Sequence, residues 1–289
     1  MSSAKILIYI LTYSNETLNI AKKMYGHNKW AKFVILPPTI LFENYMYDEW
    51  LPNNYDDWKD YDYVGTLSWK AETKVLLPDI NKLANFLFDN KFDVIPFYVI
   101  DDRNLLNCID IRQPNNKKIL KILFEELGGY NNNFINNNFI EFYCNYWIAT
   151  PKVMLDYIQV FKKCKNIINS NQDIQKLLWS YIEYISELDD EMLLQIFGQL
   201  KYSYHPFIYE RIPYLYLSKY NIAHPYILYT NGLYPKKKVE KSNNILFAFW
   251  KNNAAKFNNR TINIAKKIEL HELHFIDNFY NKQIIINPR

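Results

Sequence analysis

The chain has 289 residues, 49% of them hydrophobic, enough for one large domain or two small ones with a sizeable core. Charged residues make up 22% and nearly balance, leaving +4, too little and too dispersed to argue for a nucleic-acid partner or an anionic membrane. The six glycines form no G-x-G-x-x-G, G-x-x-x-x-G-K-[ST] or G-x-S-x-G, which argues against the usual dinucleotide enzymes, P-loop NTPases and α/β-hydrolases.

The first element is KILIYILTY (5–13), a β-branched and leucine-rich run of the kind that forms a fully buried strand. SNETLNIAKKMYG (14–26) follows, with Ser14 or Asn15 as N-cap and Gly26 as the stop; Leu18, Ala21, Met24 and Tyr25 fall on one helical face. KFVIL (32–36) is a second strand, closed by Pro37-Pro38. This βαβ unit favours a parallel sheet with a right-handed crossover. Ligands of such sheets bind beyond the carboxyl ends of the strands, where Thr12, Tyr13 and Ser14 stand.

TILFENYMYDEWLPNNYDDW (39–58) reads as a helix up to Trp50 with a break at Pro52, and YVGTLSW (63–69) as a buried strand running out into Ser68-Trp69-Lys70. LPDINKLANFLFDN (77–90) is a helix started by Pro78, and FDVIPFYVIDD (92–102) a buried strand ending in Asp101-Asp102. NKKILKILFEELGG (116–129) is an amphipathic helix with a glycine stop, followed by the polar, low-complexity YNNNFINNN. FIEFYCNYWIAT (139–150) reads as one strand, PKVMLDYIQVFKKCK (151–165) as a helix with Pro151 in its first position, and residues 173–197 as helical. In SYHPFIYERIPYLYLSKYN (203–221), Pro206 and Pro213 allow a turn and then one kinked or two short helices. Alternating strands and helices indicate an α/β domain. Residues 236–289, opening on Lys236-Lys237-Lys238, read as a C-terminal extension packed on that domain.

Cys108, Cys144 and Cys164 lie far apart, with neither metal-ligand nor redox spacing, so reduced thiols in a cytoplasmic compartment are expected. The N-terminus lacks the pattern of a signal peptide, and no apolar run approaches the ~20 residues of a membrane span. His271 and His274 can share one helical face but have no third ligand nearby, which reads as a surface feature rather than zinc. The 25 tyrosines and 7 tryptophans suit sugars and nucleobases, or simply accompany the Asn, Ile and Lys that AT-rich coding also favours.

Four stretches in order, KILIYILTYSNE, DYDYVGTLSWK, FYCNYWIATPKVMLDYI and YHPFIYERIPYLYL, span residues 5–220. Together they resemble nucleotide-sugar glycosyltransferases of the GT-A type. More specifically they are similar to a glycosyltransferase-like group of polysaccharide and capsule gene clusters and large DNA viruses. The resemblance implies a single GT-A-like (Rossmann-like) domain over residues 1–235, with a mixed, mainly parallel central sheet and flanking helices. It also implies a nucleotide-sugar donor and a glycan or polysaccharide acceptor, in the host cytoplasm if the chain is viral. A catalytically silent domain of the same fold, binding glycans or proteins, is the alternative. Nucleic-acid binding through the basic C-terminal part ranks last.

Such enzymes must hold a nucleoside, neutralise a leaving diphosphate and, when inverting, supply a base. The resemblance puts Thr12, Tyr13 and Ser14 at the nucleoside; the plain alternative is a helix cap and a packing tyrosine. Where related enzymes carry metal-binding acids, this chain has Ser68-Trp69-Lys70. Lys70, with Lys74, could neutralise the diphosphate without a metal, or simply snorkel at a strand end. Asp101 and Asp102 could bind Mn²⁺ or Mg²⁺, orient acceptor hydroxyls, or form a turn paired with Arg103. Asn145, Tyr146 and Trp147 would line the acceptor side, or alternate between core and surface. Glu210 is the expected base and His205 a diphosphate or metal ligand, against a plain Glu210–Arg211 pairing and a His-Pro turn.

Overall fold

In the computed structural model, strands β1 (Ile6–Thr12), β2 (Ala31–Ile35), β3 (Tyr63–Ser68), β4 (Val94–Pro96), the short β5 (Val99–Ile100) and β6 (Glu141–Phe142), and β7 (Trp147–Ala149) are the strands among the described residues of the first 150. The structure describes residues 3–97, 99–100, 115–127, 141–142, 144–180, 188–217, 220–223, 225–234, 273–274 and 285–286. Asp101, Asp102 and the run 236–272 lie outside the described residues, as does His271. His274 falls in a two-residue strand, β8 (Leu273–His274), paired antiparallel with β9 (Ile285–Ile286), rather than in a helix.

Five strands make one mixed sheet in the order β2-β1-β3-β7-β4. β1 is parallel to β2 and β3, with Leu11 opposite both Val34 and Ser68, while β7 runs antiparallel to β3 and β4. The chain is therefore α/β with a largely parallel sheet and flanking helices. All seven residues of β1 are buried, as its apolar run requires of a strand paired on both sides. Pro96 sits in β4, at the sheet edge, where its missing N–H is tolerated.

Along the chain the helices are α1 (Asn15–Tyr25), α2 (Leu51–Asn53), α3 (Ala71–Lys74), α4 (Ile80–Asp89), α5 (Asn116–Glu126), α6 (Pro151–Ser170), α7 (Gln172–Leu178), α8 (Asp190–Phe197), α9 (His205–Tyr209), α10 (Ile212–Leu217) and α11 (Pro225–Thr230). Ser14 caps α1 in a capping box with Thr17, a device worth about 1 kcal/mol. Asp79 caps α4 by accepting from Asn81 N and Lys82 N. Pro151 takes the first position of α6, which packs against β3. Among the described residues no helix is long and apolar enough to cross a membrane.

Three expected elements differ. Residues 39–50 do not form a regular helix. A 3₁₀ turn (Phe42–Asn44) leads into a π-type turn (Met46–Trp50), in which Leu51 N donates to Met46 O, and then into α2. A proline ring clashes with the carbonyl four residues back, and the wide turn before Pro52 absorbs it. Residues 173–197 are not one helix. α7 ends at Leu178 because Ser180 Oγ donates to Leu177 O, while Tyr204 N and Ser203 Oγ both donate to Leu178 O. The expected strand 139–150 is split by Cys144 and Asn145, both left-handed with φ of 57° and 56°, so β6 pairs with β5 and β7 joins the main sheet. The two prolines of 203–221 start two short helices, α9 and α10.

Much of the aromatic content serves the core. Tyr47 stacks on Trp147 at 5.4 Å, Tyr157 meets both edge-on, and Phe161 packs against Tyr209 at 5.5 Å. Each such pair adds about 0.5–1.5 kcal/mol beyond its buried area.

Candidate active site

β1 feeds α1 and then β2 on one side, whereas the next strand, β3, lies on the other side of β1. The carboxyl ends of β1 and β3 thus flank a topological switch point, where open parallel sheets form a crevice. Tyr13 and Ser14 leave one lip; Ser68, Trp69 and Lys70 leave the other, tied across by Trp69 N donating to Leu11 O.

The residues at the β1 end divide. Thr12 is buried and its hydroxyl donates to Val34 O at 2.9 Å, and the Ser14 hydroxyl is engaged in the helix cap. Tyr13 opens to the crevice. Its side chain is 39% exposed, yet burial of the hydroxyl, then the charges of Glu43 and Glu210, push its pKa well up. A group exposed on one side and crowded on the other is a cleft wall.

Glu43 is the residue that sequence reasoning missed. It sits in the 3₁₀ turn after β2, and the next residue anchors that turn. Asn44 is buried, donates to Leu41 O at 3.2 Å and accepts from Asn145 Nδ2 at 3.1 Å; Asn145 O in turn accepts from Thr66 Oγ1 of β3. Burial and the charge of Glu210 raise the Glu43 carboxyl to about 7, while Lys74, Ser68 and Lys70 oppose the rise. Glu210 directly follows α9, which packs on the Glu43 turn. Its side chain is 24% exposed, with Arg211 Nη1 at 3.6 Å from Oε2. Burial raises its pKa, and Arg211 and Lys74 pull it back. Arg211 is buried and also donates to Phe207 O at 3.0 Å.

The cations complete the cluster. Lys70 lies 5.5 Å from the Trp69 ring and Lys74 5.9 Å from the Tyr146 ring. Half-buried Cys144 faces Glu210, Lys74, Glu43 and Arg211, and burial raises its thiol pKa well above the ordinary range. The structure therefore gathers Tyr13, Lys70, Lys74, Tyr146 and Glu210 with Glu43.

Other expected site residues stand elsewhere or act through the backbone. His205 is 4% exposed; its Nδ1 hydrogen-bonds Ser203 Oγ, its Nε2 lies 3.5 Å from Gln175 Nε2, and Trp179 packs edge-on at 5.5 Å. Burial lowers its pKa to about 4, so it is a neutral core imidazole rather than a cation facing the cleft. Trp147 is buried in the aromatic stack and offers no open face to a sugar. Asn145 is buried and braces the Glu43 turn. Among the described residues no three His, Cys, Asp or Glu side chains group as a metal site. At the end of β3, a hydroxyl, an indole and an ammonium do not make a divalent-cation donor set.

No family model, curated protein or solved structure matches this chain. The site must be read from its own chemistry. Two carboxylates of raised proton affinity can take a proton from a hydroxyl, and two lysines beside them can meet an anionic leaving group.

Proposed function

We propose that the chain is a glycosyltransferase that moves a sugar from a nucleotide-sugar donor to a hydroxyl of a glycan acceptor in the cytoplasm. The observation that carries this reading is the carboxylate pair Glu43–Glu210, set with Lys70 and Lys74 at the switch point of the sheet. The parallel β2-β1-β3 half supports a GT-A-like fold. In an inverting displacement the acceptor oxygen attacks the anomeric carbon as the diphosphate leaves. One carboxylate takes the acceptor proton, and Lys70 and Lys74 neutralise the charge that develops on the phosphate oxygens. Tyr13 lines the wall against which the nucleoside would lie.

Thermal-shift screening against UDP-, GDP- and dTDP-sugars, with and without Mn²⁺, followed by a transfer assay, tests the reading. One donor is expected to raise the melting temperature. No shift with any donor would favour a catalytically silent domain that binds glycans or proteins. Lys70→Ala is expected to lower kcat about 10²-fold while the protein still melts like the parent. Unchanged turnover would remove Lys70 from the phosphate role.

A further inference from the structure

We infer that Glu43 is the catalytic base of this site and that Glu210, tied to Arg211, acts through it as a positioning charge. The assignment rests on the glycosyltransferase reading and divides roles within it. Glu210 has a guanidinium nitrogen 3.6 Å from its carboxylate, supplied by an arginine that is 3% exposed and fixed to Phe207 O. Arg211 and Lys74 work against the burial that raises its proton affinity, and the fixed guanidinium takes up one edge of the carboxylate. Glu43 meets the charges of Lys74 and Lys70 and the Ser68 hydroxyl, and its turn is pinned through Asn44 by Asn145. That anchoring is what a base needs to hold its angle to an acceptor hydroxyl.

The groups facing Glu43 come from every neighbouring element. Tyr13 is at the end of β1, Ser68 and Lys70 at the end of β3, and Lys74 in α3. Cys144 and Tyr146 precede β7, Tyr47 follows on the same segment, and Glu210 comes after α9. Glu210 is the other carboxylate in this set. Its charge, with burial, keeps Glu43 basic, and the proton affinity near 7 is that of a base matched to neutral pH. In the step, the acceptor O–H proton passes to a Glu43 oxygen and the acceptor oxygen bonds the anomeric carbon. The bond from that carbon to phosphate breaks, and its electron pair leaves with the nucleoside diphosphate. Glu43 then releases the proton to water.

The pH dependence of kcat/KM separates the two roles. The parent is expected to show an acidic limb near pH 7. Glu43→Gln is expected to lower kcat about 10²–10⁴-fold and abolish the limb. Glu210→Gln is expected to retain more than a tenth of the activity and move the limb to lower pH, because the charge that raised Glu43 has gone. Carboxyl ¹³C NMR of the donor-free protein supplies a readout independent of turnover: one glutamate titrating near pH 7, absent in Glu43→Gln. Transfer that survives Glu43→Gln with its limb in place would overturn the base assignment and spare the glycosyltransferase reading. So would a Glu210→Gln enzyme as impaired as Glu43→Gln with the limb unmoved. A parent that titrates as described but transfers no sugar would overturn both.

Discussion

Gly65→Ala is expected to cost more than about 4 kcal/mol and to leave little folded protein, because the added methyl meets backbone. Built at Gly65, a Cβ would lie 2.1 Å from Trp147 O, 2.8 Å from Ile148 Cα and 2.8 Å from Ile148 Cγ2. Flexible side-chain ends can yield to such a contact; a carbonyl oxygen in a paired strand cannot. β3 is held on both sides, with Gly65 opposite Ile8 of β1 and Ile148 of β7. Relief would have to displace β7, and Asn145 just before it is the brace of the Glu43 turn. A loss of this size is a large part of the 5–15 kcal/mol that holds a typical domain together. Gly198→Ala is the control. It occupies a left-handed C-cap with φ of 70° and nothing within 4 Å of its added Cβ, so only backbone strain of about 1–2 kcal/mol is expected. Soluble yield and circular-dichroism melts decide the matter. A Gly65→Ala protein that melts like the Gly198→Ala control would mean that β3 and β7 do not pair in this register.

The parts legible in the sequence are those set by local chemistry. The apolar run of β1, the Ser14 cap and Gly26 stop of α1, and the short β2 define the βαβ start without any tertiary knowledge. They also locate the crevice, since Tyr13 and Lys70 are strand-end residues by pattern alone. The parts that were not legible depend on distant partners. An apolar and aromatic run before Pro52 looks helical; that its middle widens into a π-type turn follows from the proline behind it and the packing of Tyr47 on Trp147. FIEFYCNYWIAT alternates like a strand, and nothing local announces two consecutive left-handed residues at Cys144 and Asn145. Glu43 was hidden for the same reason. Read as part of a helix, it is one more surface acid, and only the fold sets it beside Glu210. The signal that could have found it was its position shortly after the carboxyl end of β2, on the same edge as Tyr13. Trp147 illustrates the opposite error, an aromatic that chemistry suited to a sugar but that the core had already claimed.

Between pH 4.5 and 6.5 the contributions of two buried groups, Glu43 and His205, to the stability of the parent protein are expected to oppose each other and nearly cancel. Glu43 titrates near 7 in the folded state against an ordinary 4.5, so across that window the folded chain holds a proton that the unfolded chain has lost. Its contribution is full below 4.5 and disappears as pH rises through 7. His205 titrates near 4 against an ordinary 6.5, so the unfolded chain binds the extra proton. Its contribution is full above 6.5 and disappears as pH falls through 4. Each is worth about 3 kcal/mol over its window. Glu210, raised in the same direction as Glu43, adds to the acid-stabilising side. Glu43→Gln removes one arm. It is expected to melt about 4–6 °C above the parent at pH 8, where an ionised buried carboxylate is no longer held, and to lose stability steadily as pH falls from 6.5 to 4.5. His205→Gln removes the other arm, so stability should instead fall as pH rises from 4.5 to 7. Melting curves at half-unit intervals check both. If the two variants track the parent in parallel, neither side chain carries the burial assigned to it. If Glu43→Gln is the more stable and the less active protein, the carboxylate is kept at the cleft against the interest of the fold. Such a cost is expected of a group retained for chemistry, not for packing.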